Sequence, residues 1–425
     1  MNQPLKVILP ALILILIAGF FGYKYINPAP PNHLVISTGD HEGDYESYAK
    51  LYKDILKEDG ITLEIRPSTG AMENYQRLKD EKSDVDVGFI QDGLGSTDEA
   101  PDLSSLGSLY YEPIWIFYRA QLKAVSRFSQ LTGKRIAVGQ EGGGTQSLAL
   151  HLLKASGVDA KNSKFTSVSW LDAYEALKKG AVDAAFFIAT PDEPLIKQMI
   201  ADKTLKLMSV DQAEAITRQI PYLHHLVLPH GAIDLNQNLP AQDVDLVSPT
   251  ATLLVRDSLH PALAYLLLKA ASQVHGEPGI FEKKNEFPVD KDYQFPLSDE
   301  AKAFYKSGAP FWQRYLPFWL ATLIERFIVF IIPMLVFVIP ILKLFPRFTA
   351  WRIKSKIYRR YGELKFLETQ VGQDTGHKKD AKYLEELDRI EGRVHAMKVP
   401  KEYQEQLYGL RGHIDFVRSR LVNIV

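Results

Sequence analysis

One glycine-rich turn in this chain has the composition of an anion-binding loop. The turn reads GGGTQ at residues 142–146 and lies between an apolar run at 135–138 and an amphipathic stretch that begins near Gln146. Exposed amides at a helix N-terminus, glycines that permit close approach and a threonine hydroxyl suit a carboxylate or a phosphate. It is not a P-loop, because no Lys-Ser or Lys-Thr follows at the Walker spacing. A turn of this kind can also bind nothing, and that alternative stays open. The four candidate ligand-binding residues in the turn are Gly143, Gly144, Thr145 and Gln146.

A second loop, at residues 39–45, carries carboxylates that could pair with an ammonium group. Asp44 would accept the amine, and Tyr45 would supply a ring face and a hydroxyl. The alternative is that Asp44 only caps the helix that starts near it. If residues 142–146 take a carboxylate while Asp44 takes an amine, the ligand is a zwitterion such as an amino acid.

Further candidates follow predicted strands and therefore point to the same sheet edge, where small ligands bind in open α/β sheets. Each of them can also serve a turn, a helix cap or, for the aromatic residues, the core. These additional candidates are Ser68, Thr69, Asn74, Gln91, Thr190 and Asp192, with Tyr111 and Trp170 as walls of a cleft.

Composition and motifs argue against several other functions. The net charge is −1 and both signs are mixed along the chain, unlike a nucleic-acid surface. The sequence has no cysteine, so it offers no thiolate metal site. It has no Gly-x-Ser-x-Gly or His-Glu-x-x-His motif, and its histidines His224, His225 and His230 have no partners at metal-ligand spacing. We therefore expect no catalysis, no metal and no cofactor.

The elements that position these residues follow an α/β pattern, in which short apolar strands alternate with amphipathic helices. The same order of strands, loops and helices occurs over 34–92 and again over 135–192. Two similar halves predict two lobes whose facing strand ends form a cleft that closes about a hinge. We expect this body at residues 33–310, with the second lobe at about 120–205. The predicted strands are 34–37, 62–66, 85–91, 135–138, 164–168 and 182–189, and the predicted helices include 44–57, 72–79, 146–154 and 171–178.

Five segments, in order along the body, carry a resemblance to a known family. They are STGDHEGDYESYAKLYKDIL from Ser37, STGAMENYQRLKDEKSDVDVGFIQDG from Ser68, SLYYEPIWIFYR from Ser108, GKRIAVGQEGGGTQSLALHLLKASGV from Gly133 and DAAFFIATPDEPL from Asp183. In these segments the chain resembles the TAXI family of solute receptors of TRAP transporters. The resemblance implies a type II periplasmic-binding-protein fold and the capture of small solutes, amino acids such as glutamate among them. It also implies delivery of the solute to a sodium-coupled permease.

Two apolar segments are predicted to anchor this body in a membrane. Residues 5–26 have the length of a bilayer span, and bulky aromatic residues at the place of a cleavage site favour an uncleaved anchor over a secretory signal. A linker at 27–32 leads into the body, and an aromatic interfacial helix at 311–326 precedes a predicted transmembrane helix at 327–345. Basic residues follow that helix, so the positive-inside rule predicts that the C-terminus and the short N-terminus at 1–4 are cytoplasmic. The body would then lie on the periplasmic side of a bacterial inner membrane.

The C-terminal tail, residues 346–425, is predicted to be basic at first and then helical. Its apolar residues recur at steps of three and four, with breaks at 372–379 and at Pro400, which indicates a helical hairpin or a short three-helix bundle. Such a tail either packs on itself or associates with another copy or with a partner.

These observations predict a membrane-anchored receptor that captures a small polar organic solute, an amino acid or an organic acid, for uptake through TRAP permease subunits. The alternative is a membrane-anchored sensor or scaffold that signals through its cytoplasmic helical tail.

Overall fold

The computed structural model describes residues 29–39, 43–291, 294–373 and 381–422, without the side chains of 329–339, 341–342 and 344–345. The chain divides into two compact units, with the boundary between Ile324 and Glu325. The predicted N-terminal anchor at 5–26, the N-terminus at 1–4 and the first residues of the linker lie outside the described residues.

Twelve strands and twelve α-helices are described. In chain order the strands are β1 His33–Ser37, β2 Thr62–Arg66, β3 Val87–Gln91, β4 Leu103–Tyr111, β5 Ile114–Arg119, β6 Arg135–Ala137, β7 Lys164–Thr166, β8 Ala184–Ile188, β9 Leu205–Leu207, β10 His224–Leu228, β11 Val244–Ser248 and β12 Thr250–Arg256. The helices are α1 Asp44–Glu58, α2 Ala71–Lys79, α3 Gly144–Ala155, α4 Trp170–Lys179, α5 Pro194–Ala201, α6 Ala213–Gln219, α7 Pro261–His275, α8 Asp299–Ser307, α9 Phe311–Tyr315, α10 Phe318–Gln373, α11 Ala381–His395 and α12 Gln404–Val422.

The first lobe is built on a five-stranded sheet in the order β2-β1-β3-β12-β4. Strand β1 is parallel to β2 and β3, whereas β12 runs antiparallel to β3 and β4. Helices α1 and α7 cover one face of this sheet and α2 covers the other. Strand β3 is buried along its whole length for that reason, and its residues 87–90 form a continuous apolar run rather than an alternating one.

The second lobe repeats this arrangement with a sheet in the order β7-β6-β8-β5-β9. Strands β6, β7 and β8 are parallel, and β5 is antiparallel to β8. Helix α3 packs on one face and α4 on the other, so β8 is buried throughout. A separate antiparallel pair, β10 and β11, adjoins this lobe.

The chain crosses between the lobes twice, at neighbouring positions. The first crossing is Glu112 and Pro113, between β4 and β5, and the second is Pro249, between β11 and β12. The backbone N–H of Glu112 donates to the carbonyl of Pro249 at 3.0 Å, so the two crossings lie side by side. Segments that join two sheets are where domain closure is absorbed, so we expect the predicted hinge at these two crossings.

The predicted α/β body with two lobes is confirmed by these two sheets. The chain leaves the first sheet after Tyr111 and re-enters it at Thr250, so the segment devoted to the second lobe extends beyond 120–205 on both sides. The extra length holds β5 at one end and β10 and β11 at the other.

The C-terminal unit holds helix α10 from Glu325 onward, together with α11 and α12. The apolar residues that recur at steps of three and four along the sequence meet in one core. This core comprises Ile357, Leu364, Leu367, Leu387, Ile390, Val394, Leu407, Leu410, Ile414, Val417 and Leu421.

Within the part of the chain that the structure describes, no helix combines the length and the apolar character that crossing a bilayer requires.

Candidate functional site

A cavity of about 660 Å³ lies between the two lobes. Its walls are the loops at the carboxyl ends of strands in both sheets, together with the first residues of helices α1, α2, α3 and α4. Loops of this kind hold ligands in α/β sheets because they converge on one edge and expose helix amides there. Polar, apolar and glycine residues all line this cavity, so it offers both hydrogen-bonding groups and apolar surface to a small molecule.

Asp44 links the two lobes across this cavity. It is the first residue of α1, after an N-cap glycine. Its carboxylate accepts a hydrogen bond from the Thr190 backbone N–H at 3.0 Å and another from the Thr190 hydroxyl at 3.1 Å. Burial raises the pKa of Asp44, and the two bonds from Thr190 oppose that shift. Both bonds cross the cleft, so they stabilise an arrangement with the lobes together.

The backbone that presents Thr190 is held from inside the second lobe. Trp115, on β5, is fully buried, and its indole Nε1–H donates to the carbonyl of Ala189 at 2.9 Å. The ring therefore fixes the end of β8, immediately before the residue that bonds to Asp44.

Glu112 is a cavity residue that sequence reasoning missed. Its side chain is 7% exposed and lines the cavity at the first hinge crossing. The Tyr45 hydroxyl donates to its Oε2 at 3.3 Å, and the Tyr45 ring stacks on Phe89 with 5.2 Å between centroids. Burial raises the pKa of Glu112 to about 8, the bond from Tyr45 opposes this, and the negative charge of Asp44 adds to it. A lone carboxylate between the apolar runs of β4 and β5 was the available signal.

The glycine-rich turn forms the opposite wall. Helix α3 begins at Gly144, and the preceding Gly142 has a φ of 73°, in the left-handed region that glycine adopts most readily. A Cβ added to Gly144 would overlap the Oε1 atom of Gln91, which belongs to the first lobe. Glycine at position 144 therefore allows the two lobes to approach each other here. Gln146 caps the turn, since its Oε1 accepts from the Gly142 N–H at 3.0 Å.

Gln91 carries an unused donor at this contact. Its side chain is 3% exposed and lines the cavity. Its Nε2 is buried and has no hydrogen-bond partner among the described residues. A buried amide without a partner costs free energy, which a ligand that accepts its hydrogen bond would recover.

The structure brings eight of the fourteen sequence-predicted residues into the cavity lining, from both lobes. These are Asp44, Tyr45, Thr69, Gln91, Gly143, Gly144, Thr145 and Trp170.

The other six predicted residues lie outside the lining, in contacts within the protein. Thr190 and Gln146 make the bonds described above, and the exposed Asp192 carboxylate pairs with Lys197 at 2.8 Å. The Tyr111 hydroxyl donates to Glu286 at 2.9 Å and accepts from Lys291 at 2.7 Å. The last two, Ser68 and Asn74, belong to a buried network behind the cavity wall.

Asn74 is the centre of that network and is completely buried. Its Oδ1 accepts from the hydroxyls of Ser37 at 2.6 Å and Ser68 at 2.7 Å. Its Nδ2 donates to the carbonyls of Phe89, at 2.8 Å, and of Thr38. It thereby ties β1, β3 and the loop after β2 into one scaffold.

Replacing Asn74 by alanine is expected to destabilise the body by about 2 to 4 kcal/mol, because several buried polar groups lose their partner at once. Urea unfolding of the two proteins measures this difference. Asn236→Ala, at an exposed position, is the matched control and should stay within about 0.5 kcal/mol of the parent. A cost below about 1 kcal/mol for Asn74→Ala would contradict the role assigned to this network.

The cavity lining contains three carboxylates and, among its described residues, no lysine, arginine or histidine. The carboxylates are Asp44, Glu112 and Glu193. Burial also raises the pKa of Glu193, and the charge of Asp44 adds to the effect. No group of three or more potential metal ligands occurs among the described residues.

Solved structures with partial similarity include several binding proteins. An ancestral arginine-binding protein bound to arginine matches with 15% identity and a TM-score of 0.38, covering 59% of this chain and 95% of its own. The periplasmic aliphatic sulphonate binding protein SsuA from Escherichia coli matches with 15% identity and a TM-score of 0.39, covering 58% of this chain and 73% of its own. The BenM effector binding domain with its effector benzoate matches with 13% identity and a TM-score of 0.40, covering 60% of this chain and 97% of its own.

A family model described as the NMT1-like family matches residues 43–306, which include the second lobe, the first lobe apart from β1, and every residue that lines the cavity except Gly39. Since this match spans more than half of the 425 residues, the chain belongs to the NMT1-like family.

Proposed function

We propose that this protein is an extracytoplasmic solute receptor that binds a small polar organic molecule in the cavity between its lobes. The observation that carries the proposal is a cavity of about 660 Å³ walled by strand-end loops of two sheets that are joined at adjacent crossings. Ligand sites usually measure about 300 to 1,000 Å³, so this space suits one small molecule. Parting of the lobes about the hinge would admit the solute, and closure would enclose it.

The cavity also supports particular binding residues. The glycine-rich turn at the start of α3 offers backbone amides and the Thr145 hydroxyl, which suit an acceptor group of the solute. Tyr45 and Trp170 offer ring faces from opposite lobes. The eight sequence-predicted residues that line the cavity are proposed as its ligand contacts, together with Glu112.

We also propose that the receptor serves a TRAP-type transport system and is held at the bacterial cytoplasmic membrane. The five TAXI-like segments support the transport system, with permease subunits as partners. The apolar residues 5–26 and 327–345 support anchoring with both termini in the cytoplasm. An anchored receptor would remain beside its permease instead of diffusing to it.

A second function is favoured by one observation, the separate helical core of the C-terminal unit. In that case lobe closure outside the membrane would be signalled through the tail. Removal of residues 381–425 distinguishes the two functions: unchanged solute uptake with a lost cellular response supports a sensor, whereas lost uptake supports transport.

The receptor function predicts that a small solute raises the thermal unfolding midpoint of the full-length protein. The screen covers amino acids, dicarboxylates, keto acids and sugar acids, each at several concentrations. A ligand at one hundred times its dissociation constant stabilises the native state by about 2.7 kcal/mol, which raises the midpoint by several degrees.

Thr145→Ala and Trp170→Ala should remove the shift without lowering the midpoint of the free protein by a comparable amount. Asn236→Ala, outside the cavity, should show the same ligand-induced rise in midpoint as the parent protein. If no compound in the panel shifts the midpoint, the receptor function is contradicted.

A further inference from the structure

The charges in the cavity restrict which solutes can enter it. Asp44, Glu112 and Glu193 all face the same space, and no cationic side chain lines it among the described residues. The protein contacts of Asp44 and Glu112 are hydroxyl or backbone N–H donors. The nearby amine of Lys197 is engaged with Asp192 at 2.8 Å. Among the described residues, the cavity therefore has carboxylates in excess, and no ion pair balances them.

This arrangement is costly without a positive partner. A buried carboxylate that lacks a cation loses solvation that a single hydrogen bond does not replace. Glu112 has one hydrogen bond to its carboxylate, from Tyr45 at 3.3 Å, and Asp44 stands close enough to oppose its ionisation. Either a proton or a cationic ligand must neutralise Glu112. A dicarboxylate solute would add negative charge to a site that already holds an excess.

A second observation, independent of charge, points to a bound molecule. The Nε2 atom of Gln91 is buried, has no partner among the described residues, and belongs to a side chain that lines the same cavity. It requires an acceptor atom, such as a carbonyl, hydroxyl or carboxylate oxygen. A simple metal cation offers no such atom, so the occupant is an organic molecule with both a positive group and an acceptor.

The aromatic walls agree with this chemistry. Tyr45 and Trp170 line the cavity from the two lobes, and one face of the Tyr45 ring is covered by Phe89. Faces of tyrosine and tryptophan attract ammonium and guanidinium groups, most strongly where water is excluded.

We propose that the cavity selects organic cations, molecules with a protonated amine or guanidinium and a hydrogen-bond acceptor, which Glu112 and Asp44 pair with and Gln91 orients. The inference rests on the proposed receptor function and narrows its solute class. Organic acids without an amine are excluded from that class. Since the backbone of Glu112 is bonded to the second crossing, the bound cation would lie next to the hinge.

The test compares probes of equal shape and different charge by calorimetric titration of the full-length protein. 4-Guanidinobutanoate is paired with 4-ureidobutanoate, which has the same length and no positive charge, and 4-aminobutanoate is paired with succinate, in which a carboxylate replaces the ammonium group. We expect the guanidinium or ammonium member of each pair to bind about tenfold or more tightly than its partner, since the partner leaves the Glu112 carboxyl group either protonated or without a cation.

In Glu112→Gln the ratio of the two affinities within each pair should fall to about one, because the amide keeps the shape of the side chain and removes its charge. Glu175→Gln, an exposed position on α4 outside the cavity, should retain the ratio of the parent protein. If the Gln variant does not fold, the pH dependence of the parent serves instead. The affinity for 4-guanidinobutanoate should rise between pH 6 and pH 8, because Glu112 then loses the proton that competes with the cation.

Tight binding of succinate with no binding of the amines would overturn the cation inference and leave the receptor function standing. Binding of none of the four probes would also overturn it. In that second case the wider solute screen decides whether the receptor function survives.

Discussion

The parent protein is expected to become less stable as the pH rises, and the Glu112→Gln protein is expected not to show this decline. The pKa of Glu112 is about 8 in the folded chain, compared with 4.5 for an unperturbed glutamate. Between those values the folded protein binds one proton more than the unfolded chain, so the parent loses up to about 1.4 kcal/mol of stability per pH unit. The loss begins above pH 4.5 and is complete above pH 8.

Urea unfolding of both proteins at pH 5, 6, 7 and 8, without ligand, measures this effect. The variant should gain about 4 kcal/mol on the parent between pH 5 and pH 8. Groups that face Glu112, namely Asp44, Tyr45 and Tyr110, remain in both proteins, so their own titration largely cancels in the difference. Two stability curves that run parallel across the range would show that the Glu112 carboxyl ionises normally.

The second large effect is expected from a single methyl group at the cleft. Gly144→Ala places a Cβ where the Oε1 atom of Gln91 lies, and Gln91 is too deeply buried to move far. The two lobes would meet at a wider angle, and a misplacement of about 1 Å can lower the rate of an enzyme about 100-fold because its contacts lose their geometry. We therefore expect solute affinity to fall by about that factor, while the free protein unfolds at nearly the same midpoint.

Gly392→Ala is the matched control for this change. Gly392 lies inside α11, with nothing within 4 Å of the added Cβ, so the substitution should leave solute affinity unchanged. It should also strengthen the tail helix slightly. Equal affinities for Gly144→Ala and its parent would mean that the closed contact between Gly144 and Gln91 is not used in the bound state.

Much of the body could be predicted from local patterns. Strands such as β2 and β8 and helices such as α1 were predicted to within two residues at each end, because apolar periodicity and turn residues are local properties. The glycine-rich turn was also recognisable, since its role depends on amides at the start of one helix.

The cleft itself could be predicted only in part, because it depends on contacts between distant segments. Asp44 was expected to receive an amine or to cap its helix, and its two bonds from Thr190, 146 residues along the chain, could not be predicted from the sequence. Glu112 reaches the cavity because the two crossings lie side by side. No local sequence pattern near Glu112 or Pro249 indicates this contact. Tyr111, on the adjoining strand, contacts Phe287 and Glu286 and not the cavity.

The adjacent crossings make the motion of the body simple to observe. Two blocks that are joined along one narrow line turn about a single axis, so one interlobe distance reports the whole transition. The chain has no cysteine, and a pair introduced at the exposed residues Glu81 and Lys161, one in each lobe, would carry spectroscopic labels without background. The separation of such a pair, followed in single molecules, would then give the fraction of time that the protein spends shut at each solute concentration.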